Sequence, residues 1–234
     1  MNKFHSLNKK LFLSLLITSL GMTPNPVNAQ NSTASGSDTN TPKSTSILEA
    51  IVRLFKVPEN RLITRSGDVC TISPGNLGKK VIWNDRPLFI WQGKIPQSKI
   101  NLYISDVNFD YQQDKQLLWS STIESNTQTI AYAGEKLQPG FTYDWEMISD
   151  DKIYRPTFIL MEESQRKAIA QDLLKIEQDL QATNTTAEEI AIAKADYFVN
   201  RQLWSDALQQ LYIVDNSSLE LQQKIQDIEQ YLCL

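Results

Sequence analysis

Histidine is nearly absent from this chain of 234 residues, which holds only His5. Cysteine is scarce as well, limited to Cys70 and Cys233. No apolar run reaches the roughly 20 residues that a membrane-spanning helix needs. Basic residues are in the minority, with 23 Lys and Arg against 27 Asp and Glu and a formal net charge of -4. Each shortage removes a class of function. Past residue 5 there is no imidazole for a Ser-His-Asp or Cys-His nucleophile, or for a histidine-ligated metal. An acidic surface repels phosphate backbones and anionic lipid, so nucleic acid and membrane surfaces are poor partners. What remains is 41% hydrophobic with five Trp, enough for a packed core.

The first 29 residues have the order of a secretory signal peptide. Lys3, Lys9 and Lys10 precede an apolar run from Leu11 to Leu20, and Val27-Asn28-Ala29 supplies compact residues at a cleavage site before Gln30. The expected mature chain is exported, periplasmic or extracellular, and soluble. Loss of those three lysines takes its net charge from -4 to -7. Neither cysteine lies near the cleavage site to carry a lipid. In an oxidising compartment Cys70 and Cys233 can form a disulfide across a loop of about 160 residues, worth about 5 kcal/mol in the chain-entropy model. Two unpaired thiols are the alternative.

Residues 30–46 are almost all Ser, Thr, Asn, Asp, Gly and Pro, a polar spacer without apolar area to offset the entropy of ordering. A short amphipathic helix is expected over residues 47–57. Ser46 and Glu49 have capping-box spacing, Ile47, Leu48, Ile51, Val52 and Phe55 share one face, and Pro58 halts the pattern. So short a helix must dock, most simply on its own chain.

Residues 61–161 read as a β-domain of short strands: Val69 to Ile72, Val81 to Trp83, Pro87 to Gln92, Lys99 to Ser105, Gln116 to Ile123, Thr127 to Ala133, Thr142 to Ile148 and Tyr154 to Leu160. Leu137-Gln138-Pro139-Gly140-Phe141-Thr142-Tyr143-Asp144-Trp145 resembles the L-x-P-G-x-x-Y-x-W pattern of immunoglobulin-like and fibronectin-type-III-like domains. That resemblance implies a β-sandwich in which Tyr143 turns a corner and hydrogen-bonds backbone upstream. A scaffold of this kind does not specify a function.

Residues 162–234 change to helical periodicity. Ile169, Leu173, Ile176 and Leu180 form one stripe, and Leu221, Ile225, Ile228 and Leu232 another. Thr185 to Glu189 holds two overlapping capping boxes, and Ser217 with Glu220 another. Ala195, Phe198, Trp204, Ala207 and Leu211 resemble a single tetratricopeptide repeat, in which alanines let two helices approach and aromatics fill the space between them. The resemblance implies a helical segment that contacts a peptide or protein, with Trp204, Phe198 and Leu208 as candidate partner contacts. No Gly precedes Phe198, no Pro closes the unit, and there is one copy, too few for a solenoid groove. The order of the parts, including Cys-x-x-Ser-Pro-Gly at 70 to 75, resembles secreted cyanobacterial proteins in families of unknown function. That resemblance supplies no functional residues.

Three constellations could carry chemistry. Asp106, Asn108 and Asp110 match the first half of an EF-hand loop, but Tyr111 and Leu117 stand where Gly and Glu are required, so a polar hairpin tip is expected. Asp144 and Glu146 share one face of a strand, as the carboxylate pair of a glycosidase would. With Tyr143 and Trp145 turned inward, however, these acids should be outward and solvated. Trp83, Trp91, Trp119 and Trp145 could offer ring faces to sugars, although strand tryptophans usually pack. The sequence therefore points to an α+β protein without catalytic, cofactor or metal residues. It reads as an exported, non-catalytic interaction or scaffold protein with an unidentified protein or peptide partner. The alternatives are an envelope-glycan hydrolase using the paired carboxylates and a carbohydrate-binding component.

Overall fold

The computed structural model describes residues 44–56, 69–93, 95, 98–105, 116–149 and 152–234. The leader, most of the spacer and the half EF-hand at 106–110 lie outside them. In chain order the elements are α1 (Ser44–Phe55), β1 (Cys70–Ser73), β2 (Val81–Ile82), β3 (Leu88–Gln92), β4 (Ser98–Ile104), β5 (Gln116–Ile123), β6 (Thr129–Ala131), β7 (Thr142–Ser149), β8 (Lys152–Tyr154) and β9 (Thr157–Leu160). Four helices follow: α2 (Glu163–Gln181), α3 (Ala187–Val199), α4 (Trp204–Tyr212) and α5 (Leu219–Leu232). The protein is a mixed α+β structure. None of these helices is long and apolar enough to cross a membrane.

The strands form two sheets. One has the order β1-β3-β6; the other runs β2-β9-β7-β4-β5, with β8 added on β7. All pairings are antiparallel except β2 with β9. The run expected from Tyr154 to Leu160 is split into β8 and β9 at Arg155-Pro156. Proline has no N–H for a ladder, and the Pro156 carbonyl instead accepts from Trp145 N.

Strand β3 explains the layering. Leu88-Phe89-Ile90-Trp91 is apolar without alternation, the pattern of a strand covered on both faces. Phe89 and Trp91 pack with Ile100, Leu102, Trp145 and Phe158 of the larger sheet, and Phe89 meets the Trp145 ring at 5.0 Å between centroids. On the opposite face, Ile90 joins Ile72, Phe198, Leu211 and Ile228 in a second core shared with the helices. The small sheet is thus a middle layer, and among the described residues its strands share one core with the helices of 162–234. At the corner before β7, the Tyr143 hydroxyl accepts from Gln138 N at 2.7 Å and donates to Gln138 O at 3.1 Å.

Helix α1 docks on α3 and α5, burying Leu48, Ile51, Val52 and Phe55. It begins at Ser44, so Ser46 lies inside it and does not cap it. Thr186 and Glu189 form the reciprocal capping box of α3. For α5 the cap is Ser218, whose side chain accepts from Leu221 N, and not Ser217. Ala195 and Ala207 are fully buried where α3 packs on α4, as close helix approach requires. Cys70 and Cys233 are joined in a disulfide with Cα atoms 5.9 Å apart, linking the start of β1 to the C-cap of α5.

Candidate functional site

One buried acid is among the contacts that hold the helices against the sheets. Asp206, in the first turn of α4, is 2% exposed. Its carboxylate accepts from the backbone N–H groups of Trp83 and Asn84 at 2.8 and 2.9 Å. Burial pushes this carboxyl up to about 7, against the two N–H donors and the Arg166 charge, which favour the ionised form. Arg166 completes the junction: its Nε donates to Trp83 O at 2.9 Å, its Nη2 lies 2.9 Å from Asp85, and its own carbonyl accepts from Trp83 Nε1 at 3.0 Å. Sequence reasoning passed over Asp206, although an acid between Trp204 and Ala207 in an apolar helix was a visible anomaly.

A groove of about 490 Å³ opens beside this junction, between α2, the C-terminal end of α3 and the start of β2. Val81, Met161, Ile169 and Leu203, with the exposed Ala168, form its apolar lining, while Lys79, Asp172, Tyr197 and Arg201 supply polar atoms. The Arg201 guanidinium carbon sits 3.5 Å from the Tyr197 ring centroid, a cation–π contact. Tyr197 donates to Asp172 at 2.6 Å, and Arg201 reaches the same carboxylate oxygen at 3.4 Å. Burial, aided by the Asp172 hydrogen bond, pushes the Tyr197 phenol up to about 12, so it stays a neutral donor. The groove thus combines apolar side chains with a few fixed polar groups of both signs. Among the described residues that line this groove, the carboxylate is Asp172 and the cations are Lys79 and Arg201.

A smaller cavity of about 270 Å³ lies between α4 and α5 and is lined by Tyr212, Gln222, Gln226 and Glu229. Its acid, Glu229, is 3% exposed and accepts from the Tyr212 hydroxyl and, at 3.4 Å, from Gln92. Burial raises the pKa of both Glu229 and Tyr212. Among the described residues no group of three or more His, Cys, Asp and Glu is placed to hold a metal ion.

The residues singled out from sequence fall differently. Phe198 and Leu208 are fully buried and Trp204 is 6% exposed. Trp204 packs edge-on against Phe55 at 5.1 Å, and Phe198 meets Trp83 at 5.6 Å. This corrects their reading as partner contacts. They lie in the core shared with the helices, where Phe55 of α1 and Trp83 pack against them.

Asp144 and Glu146 do share a face of β7, but Glu146 is not solvated. It is 6% exposed, pairs with Arg155 Nε at 2.8 Å, and lies beside Asn101 of β4. Its charge, after burial, helps to raise the nearby Tyr103 phenol. Asp144 accepts from Thr157 at 2.6 Å across to β9. Trp91 and Trp145 are fully buried, and Trp83 and Trp119 are half-buried, stacked on or tilted against Phe198 and Phe89. Tyr197 and Arg201 stand four positions apart, a spacing legible in the sequence, but nothing there could have revealed that Asp172, 25 and 29 positions away, joins them. Compared with protein families, curated proteins and solved structures, the chain has no match.

Proposed function

We propose that this is an exported, non-catalytic interaction protein of the periplasm or cell envelope, built on an immunoglobulin-like β part and a tetratricopeptide-like helical part. It engages a peptide segment of a protein partner in the groove between α2 and α3. The groove carries this reading. Val81, Met161, Ile169 and Leu203 offer apolar contact for a side chain, and Lys79, Arg201 and Asp172 offer both charge signs to the flanking peptide. The Tyr143–Gln138 corner contact supports the immunoglobulin-like reading, and the buried Ala195 and Ala207 support the tetratricopeptide-like one. Export rests on the first 29 residues.

The test places a photo-crosslinking residue at Lys79, which is exposed at the groove rim, in the protein expressed in its own cell. The expected result is one dominant crosslinked protein in the envelope fraction, lost when Ala168→Arg fills the groove. Crosslinking unchanged by Ala168→Arg would refute the groove. An intact Met1 in the functional pool, found by N-terminal sequencing, would refute export.

A further inference from the structure

The smaller cavity, between α4 and α5, is a second site with a different chemistry. Its lining joins Gln128, just before β6, to Tyr212 at the end of α4 and to one face of α5, where Gln222, Gln226 and Glu229 recur at helical spacing. Gln128, Gln222 and Gln226 are exposed, so the cavity meets solvent among amide groups, while Glu229 is buried. A buried carboxylate is ordinarily paired with a cation or bound to a metal. Among the described residues no lysine or arginine pairs with Glu229. Its two hydrogen bonds come from neutral donors, the Tyr212 hydroxyl on Oε1 and Gln92 Nε2 on Oε2 at 3.4 Å. A carboxylate has about four acceptor positions, so roughly half of its capacity is left over.

We infer that this cavity binds a primary alkylammonium group, with Glu229 as the counter-ion. An ammonium brings three N–H donors and no acceptor. Glu229 and the Tyr212 oxygen can accept from it, and so can Gln222, whose amide nitrogen is committed to Ser217 O at 2.8 Å and whose oxygen is therefore left to accept. Leu211 and Ile225 add apolar surface for the methylenes that carry the ammonium. The volume of about 270 Å³ lies just under the roughly 300 Å³ at which drug-sized pockets begin, the size for a small amine. Other cations match less well. A guanidinium pairs best with both oxygens of a carboxylate at once, and here each oxygen already accepts one bond. Quaternary ammonium is held by aromatic cages, and among the described residues of the lining the aromatic is Tyr212 alone. Calcium needs six or more oxygen ligands, and Glu229 is the one carboxylate in the lining. The net charge of -4 draws cations toward the protein. A free alkylamine and a lysine side chain present the same group to this cavity.

NMR titration of the isotope-labelled, disulfide-bonded protein tests the site, with n-butylammonium as the free amine and Nα-acetyl-lysine methylamide as the lysine. At least one should shift the resonances of Tyr212, Gln222 and Gln226 saturably. Stronger binding of n-butylammonium assigns a free amine, and stronger binding of the lysine compound assigns a polypeptide side chain. Glu229→Gln keeps the shape and removes the charge, and should weaken binding about tenfold or more, the worth of a hydrogen bond to a charged group. Gln226→Lys, at an exposed position three residues before Glu229 on the same helix face, puts the chain's own ammonium beside the carboxylate and should block the site even where Glu229→Gln fails to fold. The inference is overturned if neither amine gives a saturable shift at tens of millimolar, or if Glu229→Gln or Gln226→Lys binds as wild type does. Equal binding of tetramethylammonium, Nα-acetyl-arginine methylamide or glucose overturns it as well.

Discussion

Asp206→Asn isolates one of the contacts that join the helices to the sheets. The substitution preserves shape but replaces one acceptor oxygen with an NH2 group, so one of the N–H groups of Trp83 and Asn84 loses its partner. A buried donor left unsatisfied costs about 1 to 3 kcal/mol. The pH dependence decides more. With its pKa raised from 3.8 to about 7, the folded state holds this proton more tightly than the unfolded state. The group's contribution is therefore fully present below about pH 4, and it is lost as pH rises through 7. The loss amounts to about 4 kcal/mol, because a tenfold difference in proton affinity between the folded and unfolded states is worth about 1.4 kcal/mol. Urea denaturation at intervals from pH 4 to 8, on wild type and Asp206→Asn, separates this group from the rest. Glu229 and Asp196 shift in the same direction, Glu177 and Glu189 in the opposite one, and all four are common to both proteins. The wild-type advantage should be greatest at pH 4 to 5, shrink as pH rises through 7, and reverse by pH 8, since the loss exceeds the initial advantage. An advantage that is constant or grows with pH would show that the two N–H donors and Arg166 outweigh burial and keep Asp206 ionised throughout.

Replacing both Cys70 and Cys233 with serine opens a covalent loop of separation 163 and should cost about 5 kcal/mol. Equal urea midpoints for this variant and the oxidised wild type would refute the loop-entropy argument. Trp204→Ala should cost about 3 to 5 kcal/mol through the cavity left beside Phe55; wild-type stability in thermal unfolding would place the indole outside the core. Gly78→Ala should also destabilise, because its φ is +48° and an added Cβ would meet the Trp204 ring, and an unchanged melting temperature would contradict that contact. Glu146→Gln weakens a charge-assisted bond to Arg155 at a nearly buried site and should cost about 1 to 3 kcal/mol. A cost near zero would restore the solvated carboxylate expected from sequence.

Signals that act within about ten residues were legible in the sequence. Alternation at Ile100, Leu102 and Ile104, continuous apolarity at Leu88 to Trp91, and 3.6-residue stripes in α2 and α5 located nearly every element, since each reports how one segment meets a core. Caps were less secure. Ser46 and Ser217 had the right spacing but were displaced by Ser44 as the first residue of α1 and by Ser218 as the cap of α5. Neighbouring hydroxyls compete for the same role, and tertiary contact selects among them; Ser218 is held by Glu188 of α3. Two strand acids were assigned outward by alternation, yet alternation says only which face a side chain takes and not whether that face is covered. Arg155 and the neighbouring strand therefore decided the state of Glu146.

The composition by itself determined what chemistry the chain past residue 5 can offer, because side-chain type sets which nucleophiles, bases and metal ligands exist at all. Only the tertiary structure decided which residues meet. Asp206 finds Trp83 across 123 positions, Tyr197 finds Asp172 across 25, and Cys70 finds Cys233 across 163. No local pattern encodes such distances, since they arise from burying the helical stripes and the second face of β3 in one shared core.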